Sequence, residues 1–142
     1  MSEIRKATSE DLTEVYNLIV ELENQSFDVC SFSKIYNENL DNKRVHYYVY
    51  EIEHKIIGFI SIHIQSLLHH ASNIAEIQEL IITDSMRGKG LGKMLFEKAL
   101  DIAKEDKCSK IEVCCNQKRK ASHEFYTEMG MENNHYKFIM DL

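Results

Sequence analysis

The sequence predicts an α/β protein with a mixed, mostly antiparallel sheet of about six or seven strands flanked by about four helices. Three observations predict this class. Segments with helically spaced apolar residues alternate with segments rich in Val, Ile, Tyr and Phe. The early strands follow one another through short turns, which indicates antiparallel pairing. A glycine-rich turn then joins a strand to a helix, and the strand after that helix is expected to run parallel to the first.

Length and charge limit the classes of protein to consider. The 142 residues carry neither repeats nor linkers, so we predict a single domain over residues 1–142. A formal net charge of −6 argues against nucleic-acid and membrane partners, which attract basic surfaces. No apolar run is long enough to span a bilayer, and residues 1–12 lack the apolar stretch of a signal peptide. We therefore expect a cytoplasmic protein.

The first half of the chain predicts a strand, two helices and then three strands. A strand is expected at Ile4–Ala7, and the pair Thr8 and Asp11 forms a capping box for a helix that continues to about Asn24. A weaker helix is expected at Ser33–Leu40. The strands that follow are predicted at Val45–Glu51, Lys55–Gln65 and Ala75–Ile82.

The second half predicts helix, strand, helix and strand in turn. Apolar residues from Leu91 to Ala103 recur with helical spacing directly after the glycine-rich turn. Gly130 is expected to end the last helix in the left-handed conformation. The remaining elements are predicted as a strand at Ile111–Cys115, a helix at Lys120–Met129 and a strand at Tyr136–Met140.

The four cysteines do not form a recognisable metal or disulfide pattern. Cys30, Cys108, Cys114 and Cys115 lack paired C-x-x-C spacing. Adjacent residues on a strand point to opposite faces, so the last two cannot easily bind one metal ion. We expect reduced thiols.

The glycine-rich turn is a candidate anion-binding site. Gly88, Gly90 and Gly92 occupy alternate positions at a helix start, where backbone N–H groups and the helix dipole favour a pyrophosphate. The alternative is an ordinary exposed loop. The turn matches neither the phosphate loop of nucleoside-triphosphate enzymes nor the dinucleotide-binding fingerprint.

The surroundings of this turn carry a family resemblance. The run Arg-x-x-Gly-x-Gly from Arg87 to Gly92 follows Glu79-Leu80-Ile81-Ile82 and precedes Phe125-Tyr126-x-x-x-Gly130. This combination resembles the GNAT superfamily of acyl-CoA-dependent N-acyltransferases, from Ile4 to the C-terminus. A further set is similar to aminoalkylphosphonate N-acetyltransferases within it: His63-x-Gln65, His69-His70, Glu76 to Leu80, Lys118-Arg119, His123-x-Phe125-Tyr126 and His135.

The resemblance implies acetyl-CoA as the co-substrate. In the superfamily the glycine-rich backbone cradles the pyrophosphate, while pantetheine pairs with the preceding strand as an extra strand would. A bulge near Leu80 turns one N–H towards the thioester carbonyl. The residues assigned to the cofactor are Leu80, Ile81, Ile82, Arg87, Gly88, Lys89, Gly90, Leu91, Gly92, Lys93 and Asn116.

The resemblance also implies two catalytic residues. Tyr126 matches the tyrosine that donates a proton to the leaving thiolate, and its alternative is a core aromatic. Glu76 stands four residues before Leu80, where several members place the base that removes the amine proton. On a regular strand Glu79 would point to the opposite face from Glu76, and a bulge would decide whether it joins the site.

Several polar residues are candidates for the substrate wall. His63 and Gln65 share a strand face and, with Glu76, present imidazole and carboxylate groups that suit a divalent metal. The spacing matches no strong metal signature, so no metal is predicted, although one is compatible with these residues. Gln78 and Glu79 are assigned to the acceptor as well.

A phosphonate would require local cations in an acidic protein. The candidates are Lys118, Arg119, His135 and Lys137, of which Arg119 and His135 are assigned to the substrate. Arg119 stands where many superfamily members have a CoA-contacting Asn. The basic run could instead meet the 3′-phosphate of CoA or lie in a solvated loop.

The predicted function is therefore transfer of acetyl from acetyl-CoA to the primary amine of a small molecule, with an aminoalkylphosphonate as the leading acceptor. Alternatives are a polyamine, an amino acid or a peptide N-terminus. A polyamine site would need carboxylates rather than cations along the acceptor cleft. A non-catalytic acyl-CoA-binding module is disfavoured because both Glu76 and Tyr126 are present. A homodimer is compatible with the sequence.

Overall fold

The computed structural model describes residues 1–142 and contains five strands, four α-helices and two short 3-10 helices. The strands are β1 (Ser2–Lys6), β2 (Val45–Ile52), β3 (Lys55–Leu67), β4 (Ser72–Ile82) and β5 (Cys108–Val113). The helices are α1 (Leu12–Glu23), α2 (Val29–Leu40), α3 (Leu91–Glu105) and α4 (Lys120–Glu128). The 3-10 turns cover Ser9–Asp11 and Asp84–Met86.

The strands form one sheet in the order of the chain. The pairs β1–β2, β2–β3 and β3–β4 are antiparallel, and β4 and β5 are parallel neighbours joined through α3. The predicted mixed α/β class is confirmed. By contact the chain divides into two compact units, Met1–Glu112 and Val113–Leu142.

Helices cover both faces of the sheet in the first unit. Register places Ile60 and Ile62 of β3 on one face, under the buried Leu95 and Phe96 of α3. On this face Gly58 is required by close packing, because an added Cβ would lie 2.6 Å from a methyl group of Ile82. This face is a closely packed aliphatic layer.

The opposite face packs against α1 and α2. Its buried cluster includes Val15 and Ile19 from α1, Tyr36 from α2, and Val49 and Phe59 from the sheet. Several aromatic residues around this cluster are only half-buried, so the layer is less closed than the one under α3.

The start of α1 is stabilised by a buried carboxylate. Asp11 accepts a hydrogen bond from the Thr8 backbone at 2.8 Å and a bidentate pair from Arg5 at 2.8 and 3.0 Å. Burial alone would raise the pKa of Asp11, but the hydrogen bonds from Arg5 and Thr8 outweigh it and hold the pKa below its usual range. The predicted capping box is confirmed.

Two short turns also follow from local sequence. Glu53 and His54 both have positive φ, 48° and 64°, as a two-residue hairpin turn between β2 and β3 requires. Gly130 has φ of 94° after α4, which confirms the predicted left-handed end of that helix.

Several predicted elements need correction. Strand β1 is Ser2–Lys6 rather than Ile4–Ala7, and β4 begins at Ser72 rather than Ala75. The second helix begins at Val29 rather than Ser33, because the Asp28 carboxylate accepts the Ser31 backbone N–H at 2.8 Å and caps an earlier turn. Strand β5 is Cys108–Val113 rather than Ile111–Cys115. Two residues separate it from the end of α3, and Lys107 turns the chain there with φ of 57°, so the helix end, rather than the apolar run, sets its start.

The predicted strand at Tyr136–Met140 is absent, which leaves five strands instead of six or seven. Tyr136, Phe138 and Met140 are 84%, 93% and 85% exposed. Their alternation with other residues resembles a strand, but a strand also requires a partner for its backbone, which alternation does not supply.

Two further findings concern membranes and thiols. No helix combines the length and apolar character that crossing a bilayer requires. Cys30, Cys108, Cys114 and Cys115 are free thiols.

Candidate active site

The glycine-rich loop has the geometry of an anion cradle. Gly88 and Gly90 both have φ of 78°, and a Cβ built on either would meet no atom within 4 Å. Gly90 is the N-cap of α3, so the first N–H groups of this 15-residue helix have no intrahelical acceptor. Lys89 and Lys93 are exposed nearby along the chain. These groups fit a pyrophosphate.

The Arg87 side chain stabilises this loop through contacts with three neighbouring residues. Its Nε donates to the Ile82 carbonyl at 2.9 Å, and its guanidinium pairs with Asp84 at 2.7 Å and with Glu21 of α1 at 3.2 Å. Glu21 also accepts the Thr83 hydroxyl at 2.9 Å and the Asp84 backbone N–H at 3.0 Å. The guanidinium is thus engaged within the protein, and the predicted contact of Arg87 with the cofactor would come from its backbone.

A β-bulge lies in β4 before the loop. Ser61 pairs with Glu79 and the adjacent Ile62 pairs with Ile77, so Gln78 has no partner on β3. The extra residue reverses the alternation of side chains beyond it. Glu79 consequently shares a sheet face with Glu76, which a regular strand would not allow.

The residues around the bulge form a polar cluster. His63 lies opposite Glu76 on the neighbouring strand, and Gln78 donates to the Glu76 carboxylate at 2.7 Å. The Ser61 hydroxyl donates to the Glu79 carboxylate, and the Glu79 backbone N–H donates to Ser61 Oγ at 3.0 Å. The structure therefore brings together three of the predicted substrate residues and the predicted base.

Glu79 is partly buried directly after the bulge. Burial raises the pKa of Glu79, while the hydrogen bond from Ser61 and the charge of His63 act in the opposite direction and Glu23 adds to the rise. The predicted Gln65 lies one step further along β3 and is exposed. No set of three or more His, Cys, Asp or Glu side chains within residues 1–142 is placed to hold a metal ion.

A cavity of about 310 Å³ opens beside Glu79. It lies between α1, α2 and the sheet, within the first unit. Its lining is largely aromatic and aliphatic, with two carboxylates and no Lys, Arg or His. The lining residues are Val15, Ile19, Glu23, Phe27, Phe32, Ile35, Tyr36, Tyr47, Phe59 and Glu79.

Tyr126 belongs to the second unit, on α4. Burial raises the pKa of Tyr126 to about 12, with a further rise from Cys115 and an opposing effect of Arg119. The Phe125 and Tyr126 rings meet edge to face at 5.2 Å between centroids. The Tyr126 phenol therefore keeps its proton at neutral pH, as a proton donor requires.

Comparison with known proteins identifies the family. Residues 12–131 match the acetyltransferase (GNAT) family. The chain belongs to this family. An aminoalkylphosphonate N-acetyltransferase of Salmonella typhimurium is 38% identical over 140 residues, which cover 99% of this chain and 91% of that protein. This GNAT protein is therefore an acyltransferase, and the family transfers acetyl groups.

Solved structures confirm the GNAT fold. A transcriptional regulator from Bacillus halodurans C-125 superposes with a TM-score of 0.91 at 22% identity, covering 100% of both chains. An aminoglycoside N-acetyltransferase in complex with CoA superposes with a TM-score of 0.89 at 14% identity, covering 100% of this chain and 95% of that one.

The other predicted residues of this GNAT protein lie in the second unit. Asn116 accepts the Lys118 backbone N–H at 2.9 Å through its side chain, and its carbonyl accepts the Arg119 backbone N–H at 3.0 Å. Its assignment to the cofactor stays a prediction. His135 is exposed and pairs with the neighbouring Asn134 at 2.5 Å.

Sequence reasoning missed Glu21, Glu23 and Ser61. The spacing of the two glutamates predicts the solvated face of α1. No sequence feature near Glu21 indicates that its side chain contacts residues beside the glycine-rich loop. Ser61 carried a usable signal, since a serine between Phe59 and His63 on one strand face interrupts an otherwise buried strand.

Proposed function

We propose that this protein is an acetyl-CoA-dependent N-acetyltransferase that acts directly on the primary amine of a small molecule. The observation that carries the proposal is the continuous path from the bulged strand β4 through the glycine cradle into α3. This path ends in a helix N-terminus that suits a pyrophosphate, after the strand residues Leu80 and Ile82 that are proposed to pair with the pantetheine of acetyl-CoA. Bound acetyl-CoA would supply the activated acetyl group.

The roles of the chain's own groups follow from the bonds that change. A C–N bond forms at the thioester carbon and its C–S bond breaks, so the amine loses a proton and the departing sulfur gains one. We assign the first proton to Glu76, with Glu79 on the same face as the second carboxylate of the site. We assign the second transfer to the Tyr126 phenol.

The finer proposal for the acceptor is an aminoalkylphosphonate. It is supported by the 38% identity to the Salmonella typhimurium enzyme over nearly the whole chain. Arg119 and His135 are the groups proposed to bind the phosphonate through charge-assisted hydrogen bonds. The polyamine alternative is favoured by the negative lining of the cavity beside Glu79.

Release of CoA should be measured with 2-aminoethylphosphonate, ethylamine and a diamine at equal concentrations. A single charge-assisted hydrogen bond contributes about 1.5–3 kcal/mol, so even one to the phosphonate would favour it over ethylamine by roughly tenfold to a hundredfold in kcat/KM. Arg119→Ala or His135→Ala should reduce that preference. If the diamine is preferred, the acceptor proposal is wrong and a cationic acceptor replaces it. If no amine is turned over, the enzymatic proposal is wrong.

The role of Tyr126 can be tested separately. Tyr126→Phe should lower kcat by roughly tenfold or more while the Kd for acetyl-CoA stays within a few-fold, because only the proton donor is lost. Phe125→Leu is a matched control for packing of the same helix. Unchanged kcat in Tyr126→Phe, with chemistry rate-limiting, would assign this ring to packing alone.

A further inference from the structure

We propose that the 310 Å³ cavity is a cation-selective acceptor pocket, which holds a primary ammonium group against Glu79 and Glu23 and an apolar substituent against its aromatic wall. This inference rests on the proposed N-acetyltransferase function and names the class of amine that the site accepts. Amines with an apolar body are expected to bind there whether or not they carry a phosphonate.

The charges of the lining select a cation. Glu23 and Glu79 are its ionisable carboxylates, and no Lys, Arg or His contributes to the wall. Burial raises the pKa of Glu79 despite the opposing effects of the Ser61 hydrogen bond and of His63, so its negative charge is incompletely compensated by the protein. An ammonium ion would compensate that charge, whereas an anion would add a second uncompensated negative charge. A phosphonate would therefore lie outside this pocket.

The aromatic wall suits the body of such a cation. Neighbouring rings follow one another from Phe27 to Phe32 at 6.4 Å, to Tyr36 at 6.4 Å, to Tyr47 at 5.4 Å and to Phe59 at 5.3 Å between centroids. Aromatic faces attract cations and also remove apolar groups from water.

The two tyrosines of this wall are held in place by their hydroxyl groups. Tyr36 donates to the Thr8 carbonyl at 2.7 Å, and Tyr47 accepts from the Asn39 amide at 2.7 Å. Their polar ends are thus occupied by the protein, which leaves the rings as the contact surface. A wall that is already ordered loses little entropy when a ligand binds.

The position of Glu79 connects this pocket to the reaction. Glu79 follows the bulge at Gln78 and precedes Leu80, where the cofactor is proposed to pair with β4. Glu76 lies on the same face and accepts a hydrogen bond from Gln78. An amine held by Glu79 would therefore lie beside the strand that presents the acetyl group and near both carboxylates.

The test compares three ligands of the same size that differ in charge. Calorimetry on the full chain at pH 7 should use 2-phenylethylamine, 2-phenylethanol and phenylacetate. We expect the amine to bind at least tenfold more tightly than the alcohol, and phenylacetate to bind most weakly. Equal affinity for amine and alcohol, or tighter binding of phenylacetate, would overturn the proposal.

Two variants identify the carboxylates responsible. Glu79→Gln and Glu23→Gln should each reduce the preference for the amine over the alcohol at least threefold. Glu38→Gln, an equal charge change at an exposed position of α2, should leave the preference unchanged. Glu23 is exposed, so its variant tests the assignment independently of any structural effect of Glu79→Gln. An unchanged preference in Glu23→Gln and in folded Glu79→Gln would overturn the assignment.

Turnover separates this inference from the proposed function. Binding of 2-phenylethylamine with acetylation of it supports both. Selective binding without acetylation of any amine supports the pocket and overturns the enzymatic function on which it was placed. Acetylation of 2-aminoethylphosphonate without selective binding of 2-phenylethylamine overturns the pocket alone.

Discussion

The two faces of the sheet differ in how completely they are packed. Under α3, the buried Leu95, Phe96 and Ala99 meet an isoleucine-rich surface that approaches closely enough to require glycine at position 58. Under α1 and α2, buried and half-buried aromatic residues, together with Glu79, line a cavity. One sheet thus combines a closely packed support for the glycine-rich loop, where the cofactor is proposed to bind, with an open layer that is proposed to hold the acceptor.

This difference in packing fits the two roles proposed for the faces. A helix that offers its N-terminus to a pyrophosphate must be held in one position, which close packing achieves. A pocket for an acceptor needs unfilled volume, and the carboxylate in it has a cost in stability. The following experiments measure the two faces against each other.

The largest effect is expected on the face under α3. Leu95→Ala should destabilise the protein by about 2–5 kcal/mol, because it leaves a cavity in a fully buried layer. Phe27→Ala, on the half-buried face, should have a clearly smaller effect although it removes a larger side chain. Chemical denaturation of both variants gives the comparison. Equal losses would mean that the two faces are equally packed.

The second effect concerns the loop that the α3 face supports. Gly90→Glu should weaken acetyl-CoA binding about a hundredfold, since it places a negative charge where an anion is proposed to bind. Gly90→Ala is the control, because it carries the same strain of positive φ, roughly 1–2 kcal/mol, without the charge. Calorimetry with acetyl-CoA measures the difference. Similar affinities in the two variants would contradict an anion site there.

A smaller effect is expected on the pH dependence of stability, which should differ in sign between the carboxylates of Glu79 and Asp11. Because the pKa of Glu79 is raised in the folded state, its ionisation lowers stability as pH increases from about 4 through that pKa. Glu79→Gln should therefore give a modest gain in stability at pH 7 that disappears near pH 4. Urea unfolding at both pH values measures it.

Asp11 provides the opposite sign. Its pKa is lowered in the folded state, so its stabilisation is present at pH 7 and is lost as pH falls through the folded pKa. Asp11→Asn should destabilise at pH 7, and its deficit should shrink in acid. If Glu79→Gln and Asp11→Asn changed the free energy of unfolding in the same direction at pH 7, the predicted opposite effects of the two carboxylates on stability would be wrong.

The smallest effect tests the connection between the faces. Glu21→Gln should raise the Kd for acetyl-CoA by no more than about fivefold, because partly exposed ion pairs contribute about 0.2–1 kcal/mol. Its contacts with Arg87, Thr83 and Asp84 would be weakened rather than lost. Glu14→Gln, on the same helix, is the matched control. No change relative to that control would mean that Glu21 does not support the loop.

The parts of the fold that could be predicted are those with local causes. Thr8 and Asp11 form the expected capping box, and Gly130 ends α4 with positive φ, because both depend on residues a few positions apart. The start of α2 was missed although Asp28 is a good N-cap, since the prediction followed apolar spacing alone. The segment Tyr136–Met140 has the pattern of a strand without the backbone partner that would make it one.

The sequence by itself determined the order of helices and strands as far as α4 and the glycine-rich entry to α3, since these follow from spacing and backbone requirements of nearby residues. Its motifs also indicated the family by resemblance. Only the tertiary structure decided that Glu79 joins Glu76 on one face, because the bulge at Gln78 depends on pairing with β3. The cavity and the contact of Glu21 with Arg87 depend likewise on how α1 packs against the rest of the first unit. Such contacts join segments distant in sequence, and no local pattern encodes their geometry.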